Sequence, residues 1–185
     1  MKIINHLKTV IRHRHYVFIA CVSMGIFFRG LKHDLSKFSP TEFKQWKYAN
    51  GTQSPHEVMR QQYGYSPIFL NHYHKNDHHW EYWLDFDELG QPIPIKMPYN
   101  AVIEMFCDLI GAGRAYNKNN WTTKSPLNYY VTKCAGKRIM NKQSERLLKI
   151  LLINLSQYDS LSSFVKNYYK QYKSVLRSQY KAGEL

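Results

Sequence analysis

The sequence predicts an all-α fold, a single helical bundle over residues 1–185, on three observations. Helix-start signals recur: Ser39-Pro40-Thr41-Glu42 and Ser54-Pro55-His56-Glu57 read as capping boxes with proline at the first helical position. Ser66-Pro67 and Ser125-Pro126 repeat the serine–proline start without the glutamate. Apolar residues then return at steps of three and four. Strand signals are confined to residues 84–97, where a Gly-Gln-Pro turn between short extended pieces predicts a minor hairpin or only a loop.

The first helix carries His6, His13 and His15 and leads into an apolar run, Tyr16–Phe28, of 13 residues. That run resembles the apolar part of a signal peptide, but no small-residue cleavage site follows it. A bilayer-spanning helix needs about 20 apolar residues, so the run predicts a buried core helix and no membrane span. Pro98 opens a helix over 100–116 with Val102, Met105, Phe106, Leu109 and Ile110 on one face. Leu147, Leu148, Leu151, Leu152 and Leu155 form another apolar stripe, and Leu161, Phe164, Val165, Tyr168, Tyr172 and Leu176 a last one.

Composition bounds the function. With 44% hydrophobic residues, 15% aromatic and 21% charged, the chain has enough apolar mass for a core, which excludes a disordered segment. Cys21, Cys107 and Cys134 are widely spaced with no CxxC, which argues against a disulfide framework or a thiolate zinc site and for a reducing, cytoplasmic compartment. The net charge of +13 suits an anionic partner, although a chain rich in Lys, Asn, Tyr and Ile also acquires positive charge as compositional background. The C-terminal helices, about residues 126–182, end in a stripe of Lys166, Lys170, Lys173, Arg177 and Lys181. The stripe could meet nucleic acid or be a solvated face.

The chemistry lies in the histidines. His33 directly precedes Asp34, and His72, His74, His78 and His79 fall within eight residues. Imidazole nitrogen and carboxylate oxygen are ligands for zinc, iron, manganese, cobalt and nickel. Neighbouring helical side chains diverge by about 100°, so His33 and Asp34 can share an ion only at a helix end or an opened turn. The capping box at Ser39, five residues after Asp34, makes a helix–helix junction there natural. His13 must be folded back by a turn near 25–30, and Asp108 projects a carboxylate from an otherwise apolar helix. His6 and His56 read as surface residues, His74 is open, and Trp80, Tyr82 and Trp83 read as core or pocket wall.

Leu31-Lys32-His33-Asp34-Leu35-Ser36-Lys37, with an upstream helix-borne His, downstream histidines and a distant Asp, resembles the signature of the HD-domain metal-dependent phosphohydrolases. The likeness spans about residues 10–116. It implies an HD-like bundle and one or two divalent ions (Mn, Fe, Co, Ni or Zn). Asp34 would bridge them, with His13, His33 and Asp108 on the first, and His72 with His78 or His79 on the second. His15 competes with His13. Lys37 and Arg114 would meet the phosphate of a small phosphorylated substrate such as a nucleotide, with Asp77 and Glu104 supporting ligands or moving protons. Two other readings stand beside it: a non-catalytic binder of nucleotide or nucleic acid on a metal-stabilised scaffold, and a di-iron oxygen-using enzyme.

Overall fold

The structure, a computed structural model, describes residues 2–48 and 53–185. The all-α class holds: helices dominate, and the sheet among the described residues is one two-stranded hairpin. Its strands β1 (Leu84–Phe86) and β2 (Pro92–Pro94) pair antiparallel with Asp85 opposite Ile93. Asp87 closes the turn, its Oδ1 accepting from the N–H groups of Leu89 and Gln91.

Two long helices carry the fold, α1 (Lys2–Ser23) and one over Tyr99–Asn117. Between them run the short helices α2 (Phe27–Lys32), α3 (Pro40–Phe43), α4 (Pro55–Tyr63) and α5 (Pro67–Lys75), so the Tyr99–Asn117 helix is α6. After it come α7 (Ser125–Tyr129), α8 (Lys142–Leu155), α9 (Leu161–Phe164) and α10 (Lys170–Ala182). On one side of α6 the core is filled by Val17 and Ala20 of α1, Met24 just after it, Leu148, Leu151 and Leu152 of α8, and Phe164 and Leu176 further on. The short helices α2–α5 build a polar pocket at one end of the α1–α6 pair.

Two glycines let the backbones meet. A Cβ on Gly111 of α6 would lie 2.3 Å from Val17 Cγ2 and 2.9 Å from Val17 N, so α1 and α6 cross with nothing between them. A Cβ on Gly30 would lie 2.6 Å from Cys21 Cβ, and its absence lets α2 fold back along α1. The expected turn is there: α1 stops at Ser23 and Gly25 takes φ +76°. Tyr16–Phe28 is therefore two helices and a turn instead of one buried helix. Val17, Ala20, Cys21 and Met24 are buried, while Ile19, Val22, Phe27 and Phe28 are exposed. Among the described residues no helix is long and apolar enough to cross a membrane.

The serine–proline starts behave unequally. Ser39 accepts from the N–H of Glu42 and Ser66 from that of Phe69, as N-caps do. Glu57 reaches back to the N–H of Ser54 at 2.8 Å. Glu42 does not reach back to Ser39; its buried carboxylate turns inward to Asn71 and His72. Ser125 lies inside α7, accepting from the N–H of Thr122.

The last apolar stripe also differs from expectation. A π-helical turn, Val165–Tyr169, joins α9 to α10 and inserts one residue, advancing the buried face by about 100°. Tyr169, Leu176 and Tyr180 are buried as a result, and Tyr172 is exposed. The same shift draws Lys173 out of the basic stripe, to 3.4 Å from the carbonyl of Met24, leaving Lys166, Lys170, Arg177 and Lys181 exposed.

Candidate metal centre

α2 ends at His33, whose ψ of 127° breaks the helix, and Asp34 follows with φ 55° and ψ 23°. Asp34 is the one non-glycine residue with positive φ among the described residues. That left-handed turn lets two adjacent side chains converge, which no helical backbone would allow. α1 supplies His13, α5 supplies His72, the loop after α5 supplies His78 and His79, and α6 supplies Glu104 and Asp108. His13, His33, Asp34, His72 and His78 are all buried.

The two oxygens of Asp34 face different partners. Oδ2 lies 3.3 Å from His13 Nε2 and 3.5 Å from His33 Nε2, with those nitrogens 3.3 Å apart. Asp108 Oδ1 stands 3.2 Å from His13 Nε2 and 3.6 Å from His33 Nε2. Oδ1 of Asp34 lies 3.2 Å from His72 Nε2 and 3.6 Å from His78 Nε2, and His79 completes that second group. Donors bound at about 2.1 Å to a shared first-row ion lie about 3.0 Å apart at right angles and about 3.4 Å apart at tetrahedral angles. The observed spacings match.

Proton positions point the same way. His33 Nδ1 is 2.9 Å from Glu104 Oε1, His78 Nδ1 is 3.2 Å from the same oxygen, and His72 Nδ1 is 3.1 Å from Glu42 Oε2. A carboxylate only accepts, so each Nδ1 carries a hydrogen, and each ring in its neutral form turns a bare Nε2 inward. Carboxylate support of this kind is the usual company of a metal-ligating histidine. His78 Nε2 and Asp34 Oδ1 are buried with no hydrogen-bond partner, so acceptors face acceptors at close range. Extra protons on the rings or a metal cation among them would relieve that. These buried groups could hold a metal ion, in sets that include Asp34, His72, His78 and His79, and His13, His33 and Asp34.

Titration behaviour reports the same field. Burial opposes a charge on His33, but Asp34, Asp108 and Glu104 outweigh it and raise its pKa to about 10. Burial would raise Asp108, yet His13 and His33 hold it well below the usual carboxylate range. Burial and the neighbouring His78 and His72 keep His79 neutral, its pKa well below the imidazole norm. Glu104 is lowered to about 2, since His33 and His78 overcome its burial. Arg29 Nε holds its other oxygen at 2.5 Å and pairs with Asp77 through Nη2.

Residues 2–153 match DUF5662, a family of unknown function. The chain belongs to that family. No curated protein and no solved structure matches it. In this DUF5662 chain every residue of the centre lies inside the matched segment, whereas α9 and α10 lie beyond it.

The structure brings together His13, His33, Asp34, His72, His78, His79 and Asp108, with Lys37 Nζ 2.7 Å from Asp34 Oδ2. His15 and His74 are exposed and stand apart from the group. Arg114 is not brought to it. Six residues after Asp108, its side chain leaves the helix about 120° away from that of Asp108. There its guanidinium sits 4.3 Å over the Trp121 ring and 5.7 Å from that of Tyr16. Asp77 reaches the centre only through Arg29, and Arg29 itself carried no sequence signal.

Two histidines read as surface residues face the site instead. His6 and His56 line a cavity of about 200 Å³ whose floor includes Asp34, His72 and Asp108. Burial holds both neutral, each with a pKa lowered to about 4. A second cavity of about 470 Å³ adjoins it, sharing His79, Asp108 and Tyr116, and Trp80 forms part of its wall.

Proposed function

We propose that this DUF5662 protein is a metal-dependent phosphohydrolase acting on a small phosphorylated compound, with a nucleotide among the substrates its cavities could admit. The reading is carried by Asp34, whose two oxygens face two separate groups of bare histidine nitrogens. His13, His33, Asp34 and Asp108 would hold one divalent ion, and Asp34, His72 and His78 with His79 a second. The resemblance of His33-Asp34 and Lys37 to the HD-domain signature supports the same assignment. Bound divalent ions polarise a phosphoryl oxygen and make water a nucleophile at neutral pH.

The chain's own residues do the rest. Lys37 stays charged, because Asp34 outweighs its burial, and it lines the smaller cavity, where it would draw the phosphate as a point charge. Glu104 and Glu42 keep the ligand rings in the Nε2-inward tautomer. The larger cavity has the size expected of a small-molecule site, and the net charge of +13 favours anionic substrates.

Elemental analysis of untagged protein beside Asp34→Ala tests this. One or two equivalents of a transition metal, lost in the variant, with manganese-, cobalt- or nickel-supported turnover of p-nitrophenyl phosphate, is the expected result. No metal in either protein after incubation with manganese, iron, cobalt and zinc would sink it. Tightly held iron with oxygen-dependent chemistry would move the assignment to an oxygen-using enzyme.

A further inference from the structure

The larger cavity contains a cation with no direct ion-pair partner among the described residues. Arg138, on the segment between the π-helical turn Tyr130–Cys134 and α8, lines this cavity and is half-buried. It makes no hydrogen bond and no ion pair among the described residues, although a guanidinium offers five donors. Arg29 is held by Glu104 and Asp77, Arg14 by the carbonyls of His33 and Leu31, and Arg60 and Arg114 lie over aromatic rings; Arg12, Arg146 and Arg177 also lack a hydrogen-bond or ion-pair partner among the described residues, but they line neither cavity. Glu81 also lines the cavity and Glu145 feels the charge of Arg138, but neither carboxylate comes within ion-pair distance of it, and Glu81 Oε2 lies 3.9 Å from His79 Nδ1 instead.

Arg138 lies apart from the metal ligands. Its charge acts on Glu81, Tyr129, Tyr130, Cys134 and Glu145, whereas the charges acting most on Asp34 are His33, Lys37 and His72. The cavity has His78, His79 and Asp108 in its wall, and Trp80, Leu109, Met105 and Tyr129 supply apolar surface. Such a space suits a molecule with an anion at the ions, an apolar body along the aromatic wall, and a further anion opposite the guanidinium.

Resting on the phosphohydrolase reading, we propose that Arg138 selects substrates that carry a second anionic group, carboxylate or phosphate, beyond the phosphoryl group held at the metal centre. A fork of parallel N–H donors matches the two oxygens of such a group, and charge-assisted pairs of this kind are the stronger hydrogen bonds. Arg138 would act on binding and leave the chemical step to the centre.

The test uses the manganese-loaded protein and two probe pairs. Phenylphosphonate and 4-carboxyphenylphosphonate, whose P–C bond resists hydrolysis, report binding by calorimetry; phenyl phosphate and 4-carboxyphenyl phosphate report turnover. The wild type should bind the carboxylated probe about ten-fold or more tightly than the plain one. Its KM for the carboxylated phosphate should be lower by a similar factor, with kcat little changed. Arg138→Ala should erase the difference at unchanged metal content, and Arg138→Lys should keep part of it. A wild type that binds both probes equally, or neither, overturns the proposal, as does a preference that survives Arg138→Ala. Turnover of neither phosphate alongside a retained, Arg138-dependent preference in binding would instead count against hydrolysis and leave the Arg138 site standing.

Discussion

Asp34 sits at φ 55°, in a region that asparagine and aspartate enter more readily than other non-glycine residues. The strain is tolerable because the turn aims one carboxylate at histidines on two sides. Asp34→Asn preserves shape and backbone preference, so it should fold, with metal content falling to background by elemental analysis. The supporting acids separate the two ions. Glu104→Gln disturbs His33 and His78 together and should weaken metal binding by about 10- to 100-fold. Among the ligands Glu42→Gln touches His72 alone and should weaken one ion, leaving a biphasic manganese titration. Capping chemistry made Glu42 legible only as a helix-start residue. Its inward turn depends on α5 lying alongside, which no local pattern records. Glu104 was legible through its spacing of one helical turn from Asp108. Arg29, His6 and His56 were not, since their roles come from neighbours far away in sequence.

At the scale of elements, the α1–α6 crossing and the π-helical turn decide where ligands sit. Gly111→Ala places a methyl against Val17 and should cost about 1–3 kcal/mol, read as a lowered denaturation midpoint, because a packed interface accommodates added volume poorly. The same variant should loosen metal binding, since His13 and Asp108 lie on the two helices that would be pushed apart. The π turn has its own test. Deleting exposed Asn167 removes the inserted residue and leaves Tyr169, Leu176 and Tyr180 on the buried face. Deleting exposed Ser174 rotates Leu176 and Tyr180 away by about 100°. The first deletion should change stability little, and the second should cost several kcal/mol, as losing two buried side chains does.

At the scale of the whole molecule, a cation is part of the stability. Without metal, the proton on His33 offsets Asp34, Asp108 and Glu104. Its folded pKa, about 10, lies above the unfolded 6.5, so that stabilisation is complete below pH 6.5 and is lost as pH rises through 10. The denaturation midpoint of chelator-treated protein should therefore fall over that interval. Manganese should flatten the slope, because the ions take over the role of the proton. A midpoint indifferent to pH in both forms would show that the cluster is not the charged centre described above.

Sequence alone determined the helical class, a turn-centred segment near residues 84–97, and a concentration of imidazole and carboxylate groups around His33-Asp34 and His72–His79. These are local quantities: periodicity, turn chemistry and ligand type are written in neighbouring residues. Tertiary structure decided that His13 and not His15 faces inward, that Arg114 stacks away from the site, and that Arg138 stands free in the second cavity. Each of those outcomes depends on the rotation of one helix against another. Glycine contacts and one inserted residue set that rotation, and neither has a distinct signal along the chain.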